Sequence, residues 1–230
     1  MIPLQDENPS STIPFVNFIF ILANISIFMY QKIFTPGRID HLYYQLGCIP
    51  YEFTHFVDIN PPSLVPVPFT IFTAMFMHGG WIHLFSNMLF LWIFGDNVED
   101  ILGHVRYLFF YMISGIFASL FHIFTNVNSQ IPSVGASGAI AGVMGAYIFL
   151  FPKARIKTLL ILGILIQIVR IPAVIILGYW IFIQFLSGFA EFGSQRGGGI
   201  AWFAHIGGFV VGFFLIIIMK KRRQGAYQRK

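Results

Sequence analysis

Ser137 stands in Gly135-Ala136-Ser137-Gly138 at the head of one apolar run, and His205 stands in Ala204-His205-Ile206-Gly207-Gly208 near the head of another. A serine hydroxyl is a poor nucleophile until a neighbouring base removes its proton, and an imidazole is the usual base. Hydrocarbon penalises polar groups, so a nucleophile and a base carried on two apolar segments point to chemistry inside a bilayer. Each residue also has a plain structural reading: Ser137 as a helix N-cap, His205 as a buried histidine bonded between helices. A third group shifts the balance. In Met77-His78-Gly79-Gly80-Trp81-Ile82-His83-Leu84-Phe85-Ser86-Asn87, His83 and Asn87 are four residues apart, share one face of a helix and can both donate hydrogen bonds. Acyl transfer develops an oxyanion, and preorganised donors aimed at it often supply the largest catalytic contribution. Here the alternative is a polar pair stitching two helices together. A metal reading of His78 and His83 is weaker, because no HExxH pattern, carboxylate ligand or cysteine accompanies them.

The elements that must carry these groups are set by composition. Of 230 residues, 57% are hydrophobic, 18% aromatic and 10% charged, where a soluble domain would be about a quarter charged. The bulk of the chain therefore faces lipid or other buried helices, and the fold class expected is an all-α polytopic membrane protein. The net charge of +5 comes from basic residues gathered at the ends of apolar segments, which reads as membrane topology and not as a nucleic-acid footprint. Cys48 is the single cysteine, so an intramolecular disulfide and a cysteine-based metal site are both excluded.

Six spans are expected, over residues 14–30, 83–96, 105–124, 137–151, 173–189 and 200–219, the second continuing as helix to Asp100. The first reads as a retained anchor, since it lacks basic residues before it and a small-residue cleavage site after it. A Pro-rich loop over 31–81, with Tyr43, Tyr44, Tyr51 and Phe53, reads as ordered and lying at the membrane surface, and 125–134 reads as a short polar loop. Residues 159–169 are apolar but sit between Lys157 and Arg170. Crossing there would place Arg170 in hydrocarbon at about 2.5–3.5 kcal/mol, so an interfacial segment or hairpin is expected.

This topology puts Arg106, Lys153, Arg155, Lys157, Arg170 and the basic tail 220–230 on one face, against Lys32, Arg38 and Arg196 on the other. The positive-inside rule makes the first face cytoplasmic, with both termini on it. Ser137 and His205 then fall at the same depth, near the extracytoplasmic ends of their helices. Small residues at four-residue spacing, Ser137, Ala141 and Gly145 on one helix and Ala204, Gly208 and Gly212 on the other, would let the two backbones approach closely.

The ordered set of His78, His83 and Asn87, then Gly135-Ala136-Ser137-Gly138, then Ala204-His205-Ile206-Gly207-Gly208 resembles the rhomboid intramembrane serine proteases, specifically a bacterial member with the six-span core. The resemblance covers roughly residues 14–219. It implies Ser137 as nucleophile and His205 as general base in a dyad without a carboxylate. It implies Asn87, His83 and the Ser137 backbone N–H as the oxyanion hole, His78 as a histidine supporting the surface loop, and Gly135 as the glycine of the tight turn before the nucleophile. The stretch Gly197-Gly198-Gly199-Ile200-Ala201-Trp202-Phe203 resembles the family's mobile cap, where glycines suit a hinge. Three departures stand out: Ala141 occupies the position where some members stack a tyrosine on the histidine, the first loop lacks a Trp-Arg pair, and Ile101 stands where an arginine would follow Glu99.

The expectation is thus an endopeptidase that hydrolyses peptide bonds within or next to the transmembrane helices of single-span or other membrane-protein substrates. It would sit in a bacterial inner (plasma) membrane and need no cofactor or metal. Its organisation would be a short cytoplasmic N-terminus (1–13), a six-helix protease domain (14–219) and a basic cytoplasmic tail (220–230). A catalytically dead relative acting as a chaperone or adaptor is disfavoured because serine and histidine are both present. A channel or transporter is disfavoured because no inverted repeat or paired broken helices are seen.

Overall fold

The computed structural model describes residues 1–35, 37–163, 165–191 and 200–220. Each stretch expected to cross the membrane lies in a helix: α1 (Phe15–Phe34), α5 (Trp81–Leu102), α6 (His104–Thr125), α7 (Ser137–Leu150), α8 (Ala173–Glu191) and α9 (Trp202–Met219). Among the described residues, four of these, α1, α6, α8 and α9, are long and apolar enough to cross a membrane. Helix α7 has only 14 residues. Helix α5 is long enough but carries His83, Ser86, Asn87, Asp96, Asn97, Glu99 and Asp100. The loop over 31–81 is ordered by short helices, α2 (Ile39–Leu46), α3 (Pro50–His55) and α4 (Thr70–Ala74), with a 3-10 turn at Val67–Phe69.

The all-α expectation is corrected by a three-stranded antiparallel sheet, β1 (Ile2–Asp6), β2 (Arg155–Leu162) and β3 (Leu165–Pro172), in the order β1-β2-β3. The interfacial segment or hairpin expected around 159–169 is a hairpin, Arg155 pairing with Pro172 and Leu162 with Leu165, turning at Gly163 with φ +62°. Alternation explains the strand: Ile156 and Thr158 are buried, while Arg155 and Lys157 point the other way. Nothing in the sequence reading anticipates β1, whose Ile2 and Pro3 pair with Leu159 and Thr158.

Helix α7 is the axis of the bundle, with every residue from Gly138 to Tyr147 buried. Its fit to α9 depends on missing side chains. A Cβ on Gly208 would run into the Gly138 carbonyl, one on Gly212 into Gly142, and one on Gly145 into the Phe209 carbonyl. The predicted stripe is thus in contact at Gly208 and Gly212 on α9 and at Gly145 on α7, while Gly138 and Gly142, one step round from Ser137 and Ala141, supply the other touching positions on α7. Such backbone-to-backbone packing brings the heads of α7 and α9, with Ser137 and His205, to one place.

The C-terminal end of α5 is held differently. Glu99 is fully buried, its carboxylate accepting from the Val16 N–H (3.0 Å) and the Asn17 N–H (2.8 Å) in the first turn of α1 and pairing with His104 Nδ1 (2.5 Å). A carboxylate at a helix N-terminus satisfies orphan N–H donors and complements the helix dipole. The partners of Glu99 are therefore α1 and His104, and no arginine at position 101 is needed.

Candidate active site

Ser137 is the first residue of α7, with Ala136 in the cap position and no side-chain cap bond, so the N-cap reading does not describe its hydroxyl. Its Oγ lies 2.8 Å from His205 Nε2. The other ring nitrogen, Nδ1, lies 2.7 Å from Gln184 Oε1 on α8. With an acceptor amide oxygen at Nδ1, the ring proton sits there and Nε2 accepts from the serine hydroxyl. Trp180, one turn before Gln184, approaches the imidazole with ring centroids 5.6 Å apart, and Trp202 stands edge-on at 6.5 Å.

Gly135 precedes the serine at φ +136°, a backbone conformation that favours glycine, and its N–H donates to the Ala74 carbonyl (2.9 Å). A Cβ there would also lie 2.7 Å from His83 Nε2. The turn is fixed further by the pairing of Ser133 with Cys48, N–H to carbonyl in both directions (2.8 and 3.0 Å). The loop before Ser137 is thereby stitched to the loop after α1.

Opposite stand the histidines and the asparagine. His83 Nδ1 accepts from the Gly79 N–H (3.3 Å), which leaves the proton on Nε2, the atom beside Gly135. Asn87 Nδ2 donates to His78 Nε2 (3.0 Å), and the second amide N–H remains. His78 is wholly buried beneath the loop: its N–H meets Gln31 Oε1 (3.3 Å) and its carbonyl accepts from the Tyr43 hydroxyl (3.0 Å). Burial, and secondarily the His83 ring, push the His78 pKa down to about 3, so this imidazole stays neutral and accepts.

Ser137, His205, His83, Asn87 and Gly135 line one cavity of about 630 Å³, while His78 lies behind it as the partner of Asn87. Three further groups face the same cavity or its base without having been singled out in the sequence: Gln184, Trp180 and His122, whose Nδ1 meets Asn126 Nδ2 (3.3 Å). A buried amide in the middle of an apolar span was the available signal for Gln184, since such groups are costly unless paired. Among the described residues no group of three or more His, Cys, Asp or Glu is placed to hold a metal ion. The expected glycine hinge at 197–199 and the basic tail 221–230 lie outside the described residues.

The family model for the rhomboid domain matches residues 67–222. Rhomboid protein 1, mitochondrial, of Saccharomyces cerevisiae is 32% identical over 168 residues, covering 69% of this chain and 45% of that protein. Rhomboid protease GluP of Bacillus subtilis is 34% identical over 160 residues, 70% of this chain and 28% of that protein. Rhomboid-like protein 11, chloroplastic, of Arabidopsis thaliana is 29% identical over 208 residues, 89% of this chain and 65% of that protein. The matches thus span less than half the length of the yeast and Bacillus relatives. The family model takes in His78, α5 with His83 and Asn87, the serine turn and the histidine helix, and on that match this multi-pass membrane protein belongs to the rhomboid family.

Proposed function

We propose that the chain is an intramembrane serine endopeptidase in which Ser137 and His205 act as a dyad on membrane-protein substrates. The observation that carries the reading is the 2.8 Å approach of Ser137 Oγ to His205 Nε2 at the wall of a cavity lined by hydrogen-bond donors. As Ser137 Oγ attacks a scissile carbonyl, its proton passes to Nε2, the C–O bond forms and the carbonyl π electrons move onto oxygen. His83 Nε2–H, the free N–H of Asn87 and the Ser137 backbone N–H, an orphan donor at the start of α7, are the candidates to bind that oxyanion. Collapse returns the proton from the imidazolium to the leaving amine. Water, deprotonated by the same nitrogen, then hydrolyses the ester and frees Ser137.

Helices hide their carbonyls in hydrogen bonds, so a substrate segment must unwind before it fits, which favours helix-breaking or small residues at the cleavage site. In this reading α5 and α7 also cross the bilayer, giving six spans. Helix α7, about 21 Å long at 1.5 Å per residue, is wrapped by protein and need not match the lipid thickness. Residues 1–13 and 220–230 flank the protease domain on the cytoplasmic side of a bacterial plasma membrane. No cofactor takes part.

The test is cleavage of a panel of labelled single-span substrates by the purified chain in liposomes. Wild type should cleave at least one of them and Ser137→Ala none. Equal cleavage by the Ser137→Ala protein would remove the serine mechanism.

A further inference from the structure

We propose that Gln184 is a positioning residue for the Ser137–His205 pair: a neutral acceptor that selects the ring tautomer and plane in which Nε2 is free to take the serine proton. This rests on the dyad reading above.

A neutral imidazole carries one ring proton. For Nε2 to accept from Ser137, that proton must sit on Nδ1, and Gln184 Oε1 stands 2.7 Å from it. The amide's own orientation is set at its other end, where Nε2 donates to the Trp180 carbonyl at 3.4 Å, so its oxygen is the end turned to the histidine. Gln184 is 5% exposed and is the one amide side chain of an otherwise largely apolar helix. Burying it is costly unless its polar atoms are bonded, and the described partners are His205 and the turn of α8 on which it sits.

Trp180 and Gln184 are four residues apart, so α8 presents an aromatic face and an acceptor to the same ring. Ala141, buried on α7, leaves no aromatic ring at the position where the resemblance expects a stacked tyrosine. The support of His205 comes instead from α8. An amide also differs from a carboxylate in consequence: it orients the ring without drawing a proton onto the resting base. Among the described residues, the other titratable groups facing this cavity are His83 from α5, His122 from α6 and Glu191 at the end of α8.

The experiment uses the full chain in liposomes, with single-turnover cleavage and with labelling of Ser137 by a fluorophosphonate measured across pH, for wild type, Gln184→Leu and Gln184→Glu. Gln184→Leu should lower kcat about 10–100-fold, the worth of one hydrogen bond to a group that becomes charged, with KM little changed. Gln184→Glu should restore most of that rate and move the acid limb of the profile to higher pH, because a carboxylate stabilises the imidazolium. Wild-type kcat in Gln184→Leu overturns the proposal, as does an equal loss in both variants with an unshifted profile, which is what a packing role gives. Should Gln184→Leu fail to fold, Gln184→Glu decides alone, and an unmoved acid limb overturns the proposal. Failure of the wild type to label at Ser137 would instead count against the dyad itself.

Discussion

At the residue scale, the cavity brings together groups from stretches of chain that lie far apart in the sequence. Asn87 and His83 are the sharpest case, because two roles predict different measurements. If their N–H groups meet a developing oxyanion, Asn87→Ala and His83→Ala should each lower the cleavage rate constant by roughly 10²–10³, with substrate binding nearly unchanged. If they only stitch helices, turnover should persist in the folded fraction, and the loss should appear in thermal stability as an interhelical bond worth about 0.6 kcal/mol. Thermal unfolding and single-turnover cleavage on the same purified variants separate the two. The Asn87–His78 bond bears on this: His78→Ala should loosen Asn87 without removing a donor from the cavity. Its rate loss should therefore be smaller than that of Asn87→Ala.

At the element scale, one carboxylate caps the join of α1 to α5. Glu99, itself with no exposure to solvent, accepts two backbone N–H groups of α1 and pairs with the half-exposed His104. Glu99→Ala strands those two donors, at about 1.5–3 kcal/mol for a hydrogen bond to a charged group. A clear drop in unfolding temperature is expected, whereas an unchanged midpoint would mean that water replaces the carboxylate. Around the same join, Asn17 sends its amide to the Leu91 carbonyl (3.1 Å) and accepts from the Tyr107 hydroxyl (2.8 Å), tying α1, α5 and α6 at one point.

At the scale of the whole molecule, β1 straps the N-terminus onto the hairpin and onto α7, where the Tyr147 hydroxyl donates to Asp6 Oδ2 (2.9 Å). Burial, helped by the nearby charge of Asp96, raises the Asp6 pKa to about 6 despite that hydrogen bond. The folded chain then keeps a proton that the unfolded chain releases near pH 4, so stability is greatest below that pH and declines as pH rises through about 4 to 6. Asp6→Asn, which still accepts from Tyr147, should gain stability over wild type at pH 7 and lose that advantage at pH 4. A pH-independent difference in unfolding midpoint would contradict it. Topology is tested separately. A reporter fused after Lys230 should be cytoplasmic and one near Asn128 extracytoplasmic, because Lys153, Arg155 and Lys157 resist translocation. An extracytoplasmic C-terminus with Asn128 also extracytoplasmic would mean an even number of crossings after Asn128, and the six-span reading would fall.

The positions of the six helices read as spans were legible in the chain itself, because hydrocarbon requires apolar runs whose backbone groups bond within their own helix, whereas the short helices α2, α3 and α4 inside the stretch read as a loop were not. Ser137, His205, His83 and Asn87 were legible for the same reason, as polar groups set into those runs. Of the sheet, the hairpin was one of the two forms legible around 159–169, because Arg170 is costly to bury in hydrocarbon, but β1 was not, since it exists only because β2 offers it an edge. Nor was the pairing of Gly138 with Gly208 and Gly142 with Gly212, since a stripe of small residues shows that helices can approach but not which positions touch. Gln184 is the clearest example of what tertiary structure alone decided. Its sequence marks it as an amide that needs a partner, and only the packing of α8 against α9 determines that the partner is Nδ1 of His205.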